Sequence, residues 1–82
     1  MLSDKDLFEL VGIRIRNIRK SQGMSQQILA YEVDMEKTNI SRIEAGRTNV
    51  TIKNLYKIAQ ALGVTMKDIV DIEREHKETK DM

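Results

Sequence analysis

At 82 residues, 40% of them hydrophobic and 33% charged, the chain is sized for one globular domain with a modest core. It has no cysteine, which excludes thiolate metal sites, thiol catalysis and disulfide staples, and its one histidine, His76, lies in a polar tail where solvation is expected and a metal site is not. The net charge is only +1, yet residues 1–62 hold ten Lys/Arg against seven Asp/Glu while residues 63–82 hold four against six; a nucleic-acid partner needs only a local basic face, so the total decides nothing.

Proline is absent and the aromatics are only Phe8, Tyr31 and Tyr56, a composition that favours helix over strand. Apolar residues recur at helical spacing almost throughout. The first helix should open near Ser3-Asp4, with Asp4 and Asp6 suiting its positive end, and carry Leu7, Leu10, Val11, Ile15 and Ile18 on one stripe up to a left-handed cap at Gly23. Ser25 is the N-cap expected for a short second helix, about Gln26 to Val33, with Leu29, Ala30 and Val33 facing inward. A tight turn at Asp34-Met35-Glu36 leads to a third helix, about Lys37 to Ala45, anchored by Ile40 and Ile43, started by a capping Glu36 and ended by Gly46.

After a short polar loop, Thr51 should cap a fourth helix whose stripe is Ile52, Leu55, Ile58, Ala59 and Leu62, with Gly63 as its end. Thr65 and Asp68 read as a variant capping box opening a fifth helix through Met66, Ile69 and Val70 towards Ile72. From Glu73 the sequence is nearly all charged and polar, so residues 73–82 are expected to extend that helix or to fray as a solvated tail. The fold class expected is all-α, a compact five-helix bundle over residues 1–72. Met24, Met35 and Met66 are read as core filler, and Tyr31 and Tyr56 as half-buried packing residues.

Residues 26–45 hold the most specific pattern. The small Ala30 stands where two helices must approach closely, and Asp34 stands at a turn that needs a left-handed residue. Ile40 and Ile43 then return the third helix to the core, a spacing that fits a helix-turn-helix. The outer face of that helix carries Lys37, Thr38, Asn39, Ser41 and Arg42, side chains able to hydrogen-bond base edges and phosphates. A polar outer face is also what any short surface helix shows, and the pattern alone leaves both readings open.

Four fragments, in order, carry a resemblance that separates them: Gly23-Met24-Ser25-Gln26, Leu29-Ala30, Ile40-Ser41-Arg42-Ile43-Glu44-Ala45-Gly46, and Leu55 through Val64. Together they resemble the Cro-like, or XRE, helix-turn-helix family, phage-repressor-type DNA-binding proteins, over about residues 7–71. Within it the chain looks most like restriction–modification controller proteins. The resemblance implies that Lys37, Thr38 and Arg42 read bases, with Asn39 and Ser41 at the edge of the contact. It implies phosphate contacts from Gln26, aided by the second helix's dipole, from Arg47 and Asn49 after the recognition helix, and from Arg14 and Arg16 on the first helix. Arg19 and Glu44 match a partly buried structural ion pair. Asp34 stands where the family usually has glycine, and Ile28 where it often has glutamate.

The function so implied is sequence-specific binding of double-stranded DNA by a cytoplasmic transcriptional regulator, as a homodimer on a partly palindromic operator. Economy puts the dimer surface on the fifth helix and its surroundings, at Val64, Met66, Ile69, Val70 and Ile72. The alternative is the antitoxin half of a toxin–antitoxin pair, with a protein toxin as main target and DNA binding for autoregulation. Neither reading calls for a cofactor, a membrane or a small-molecule effector. No nucleophile stands beside a base and no phosphate-cradling glycine loop occurs, so an enzyme is not expected.

Overall fold

The computed structural model describes residues 2–73, so the expected tail, apart from Glu73, lies outside the described residues. Five helices follow in chain order: α1 (Asp4–Ser21), α2 (Gln26–Glu32), α3 (Lys37–Glu44), α4 (Ile52–Leu62) and α5 (Met66–Ile69). No strand occurs among the described residues.

Four of the five helix starts are visible in local chemistry. Ser3 and Asp6 form a capping box at α1, Ser25 accepts from the Ile28 amide, Thr51 from the Asn54 amide, and Thr65 and Asp68 close a second capping box at α5. Each arrangement satisfies amides that a helix leaves without internal partners. α3 is the exception: Glu36 occupies the N-cap but its side chain makes no capping bond, contrary to the expectation for that residue. Glutamate is longer than the Ser, Thr, Asp or Asn that fold back readily onto the first turn. The turns at Gly23, Gly46 and Gly63 are left-handed, and so is Asp34, with φ of 56°.

The core takes one solvent-inaccessible apolar side chain from every helix: Ile15, Leu29, Ile40, Ile58 and Ile69. Burying each stabilises the fold by about 1.5–3 kcal/mol. Ala30, Val33, Ile43, Leu55, Ala59 and Leu62 complete this cluster, with Met24, Met35 and Met66 packed partly buried against it. The third helix is seated against both α1 and α2, while α4 packs on α2 and α5. At the far end Gln22 donates to the Leu62 carbonyl (2.6 Å), joining the end of α1 to that of α4.

Three apolar expectations are corrected. Ile52 is 72% exposed, because the first residue of α4 lies beyond the flank of the stripe that Leu55, Ile58, Ala59 and Leu62 bury. Tyr31 is 84% exposed on the outer side of α2 instead of half-buried. The fifth helix ends at Ile69, with Val70 as its C-cap, and helical backbone is found again at Ile72 and Glu73, after a break in place of the continuous helix expected. Tyr56 does sit half in solvent, its hydroxyl accepting from Gln60 (3.0 Å).

The α5 cap also makes a pH prediction. Hydrogen bonds from the Thr65 backbone and side chain hold the Asp68 carboxyl below the usual aspartate range. A depressed folded-state pKa contributes stability above the unfolded value and loses it as pH falls through the folded one. Asp68→Asn is therefore expected to melt below the wild type on the neutral plateau and to converge with it as the pH falls, which flattens the acid limb, as read by circular dichroism melts from pH 7 to 2.

Candidate DNA-binding surface

Ile40 and Ile43, both buried, fix the inward side of α3. Helical periodicity then turns Lys37, Thr38, Ser41 and Arg42 outward, and all four, with Asn39, are exposed. Lys37 and Arg42 are separated by about 7.5 Å of helix rise, the height of about two base steps. Among the described residues, no carboxylate forms an ion pair with Lys37, Arg42 or Arg47. Three cations thus stand open on one end of the molecule.

The chain leaves α3 through the left-handed Gly46, where the Arg47 amide donates to the Arg42 carbonyl (2.9 Å). This turn carries Arg47 and Asn49 past the end of the recognition helix, both exposed. Beside them lies an open cleft lined by Asn39 and Arg42 of α3, by the polar Thr48, Asn49, Thr51 and Asn54, and by the apolar Met35, Ile43 and Val50. Thr48 and Asn54 were not among the residues singled out from the sequence; the only signal for them is that both flank the capped start of α4.

The α1 contribution divides. Residues two apart on a helix point about 200° apart, so Arg14 and Arg16 cannot serve one surface. Gly12 abuts the last carbonyls of α3, and Arg16, one turn on, lies exposed on that same flank. Arg14 lies on the opposite flank, where its Nε donates to the Asp68 carbonyl (2.7 Å) and ties α1 to α5. The Nε of Arg14 is thus engaged in holding the fold together.

Behind the surface lies a buried polar cluster. Arg19 and Glu44, each 6% exposed, pair through two hydrogen bonds, Nε to Oε2 at 2.7 Å and Nη2 to Oε1 at 2.8 Å. The remaining Arg19 nitrogen donates to the Met24 carbonyl (2.7 Å). The hydrogen bond to Glu44 raises the Arg19 pKa against the opposing effect of burial, with the carboxylate's charge adding to the rise. Gln26, half-buried at the start of α2, donates from Nε2 to Glu44 Oε1 (3.0 Å). No buried side-chain polar atom among the described residues lacks a partner.

A short helix held across a left-handed turn from its partner, presenting an open cationic and amide-bearing face, defines a helix-turn-helix DNA-binding regulator. The chain belongs to the helix-turn-helix family, whose model matches residues 15–69. It is 49% identical over 63 residues to the control protein C.BamHI of Bacillus amyloliquefaciens, covering 76% of this chain and 78% of that one. The control protein C.MunI of a Mycoplasma species is 38% identical over 66 residues, covering 78% and 89%. Among solved structures, the restriction-modification controller protein C.AhdI from Aeromonas hydrophila superposes with a TM-score of 0.74 at 29% identity, covering 76% of this chain and 94% of that one. The resemblance seen in the sequence to Cro-like regulators, and to controller proteins among them, is borne out.

Proposed function

We propose that the chain is a cytoplasmic regulator that binds a partly palindromic operator as a homodimer, controlling transcription of a restriction–modification system. The observation that carries DNA binding is the open face of α3, on which Lys37, Thr38 and Arg42 stand exposed, neither cation in an ion pair among the described residues, while two buried isoleucines hold the helix in place. In this reading those three side chains read bases, and Asn39 and Ser41 touch the edge of the contact. Gln26, Arg16, Arg47 and Asn49 hold backbone phosphates.

One recognition helix covers only a few base pairs, so specificity within a genome calls for two. Ile69 is wholly inside the core and has nothing to offer a partner, whereas Val70 is 46% exposed. On α4, Asn54 and Ala61 line the clefts towards α3 and α2. Ile52 and Tyr56 fall on the other flank of that helix, 72% and 52% exposed. In this reading the second copy covers Ile52, Tyr56 and Val70, large apolar side chains exposed on α4 and at the end of α5.

Arg42→Ala tests the reading directly. It is expected to weaken operator binding by about 1–3 kcal/mol and to relax preference at one base position, measured by fluorescence anisotropy against a panel of single-base operator variants. Equal affinity of wild type and Arg42→Ala for every duplex would remove α3 from the interface.

A further inference from the structure

The contact between Gln26 and Glu44 links the buried ion pair to the surface. We infer that Glu44 is a positioning residue for DNA binding: its carboxylate holds the Gln26 amide with the nitrogen inward, so that one N–H is anchored and the other is kept for a phosphate oxygen. This rests on the reading in which Gln26 contacts the DNA backbone.

The amide of an unanchored glutamine can present either its oxygen or its nitrogen, and only the nitrogen can donate to a phosphate. Glu44 Oε1 removes that ambiguity, since a carboxylate accepts and cannot donate. The carboxylate itself is fixed by the two Arg19 bonds at 2.7 and 2.8 Å, and it terminates the recognition helix. One carboxylate thus sets both the end of α3 and the amide at the start of α2, the two elements that must meet the duplex in register. Arg19 has a second effect here, because its charge offsets that of Glu44 beside an approaching phosphate chain.

The test is a double-mutant cycle on operator affinity with Gln26→Ala and Glu44→Gln, each checked for fold by circular dichroism. Glu44→Gln keeps an oxygen for Arg19 but offers no carboxylate edge to be shared with Gln26. In the wild-type background Gln26→Ala is expected to weaken binding about tenfold, the scale of one hydrogen bond to a charged group. In the Glu44→Gln background the same change is expected to cost almost nothing, because the amide is no longer oriented. A tenfold loss in both backgrounds overturns the inference while leaving the phosphate contact standing. No loss in the wild-type background overturns the phosphate contact, and the inference with it.

Should Glu44→Gln fail to fold, the side-chain amide resonances of wild-type Gln26 decide. One proton is expected to exchange slowly in the free protein and stay put when operator duplex is added, while its partner shifts. Two protons averaged like those of the exposed Gln27 overturn the inference.

Discussion

Gly12→Ala is expected to destabilise the fold although it adds a single methyl group. An added Cβ would lie 2.4 Å from the Ile43 carbonyl oxygen and 2.5 Å from that of Glu44. Both are backbone atoms, so no rotamer change can relieve the contact, and α1 and α3 must move apart. The gain in helix propensity from glycine to alanine is about 1 kcal/mol, whereas overpacking of this kind costs about 3 kcal/mol. A net loss of about 2 kcal/mol is expected in urea unfolding, by the difference of those two figures. Operator affinity should fall with it, because the recognition helix loses its seat against α1. The control is Gly23→Ala, where an added Cβ meets nothing within 4 Å and only the φ of 68° is strained. That variant is expected to lose about 1 kcal/mol and to bind DNA normally once folded. Equal stability of the two variants would show that α1 and α3 are not in the close contact described.

Arg19→Ala is expected to have the second large effect. It strands the Glu44 carboxylate, 6% exposed, without its cation and frees the Met24 carbonyl. Breaking one side of a buried pair costs about 3–5 kcal/mol, a large share of the about 4–12 kcal/mol that typical per-residue stability allows a domain of this length. Thermal and urea unfolding should both show it. The loss belongs to the stranded charge more than to the pair itself, so removing both partners should cost less than the sum of the single changes. The double variant Arg19→Met with Glu44→Met is accordingly expected to recover much of the stability. Additive losses would contradict the assignment of these residues to one buried network.

The helices were legible because their signals are local. Ser25 and Thr51 cap the helices that follow them, Gly23, Gly46 and Gly63 turn the chain where the apolar periodicity stops, and Asp34 takes the left-handed turn that its place between two helices requires. The exposed polar face of α3 was legible for the same reason: two inward isoleucines on a short helix leave few directions for the other side chains. What stayed hidden is tertiary. Ile52 fits the α4 period, but the core closes over only part of that stripe, and no local signal marks where its edge falls. Arg14 and Arg16 look alike in the chain, yet they divide between α5 and the α3 side because the helix turns them apart. The close approach at Gly12 and the contact between Gln26 and Glu44, eighteen residues apart, exist only once three helices have packed. The Arg19–Glu44 pair came from resemblance to a family, since twenty-five residues separate its members.

The most direct measurement is selection of bound sequences from a random duplex pool, carried out at two salt concentrations. The expected result is a motif of two related half-sites, centred about one helical turn apart, whose recovery weakens as salt rises. Recovery of a single unpaired half-site would contradict the homodimer covering Ile52, Tyr56 and Val70. Recovery of no motif at either salt concentration would contradict sequence-specific DNA binding by α3 altogether.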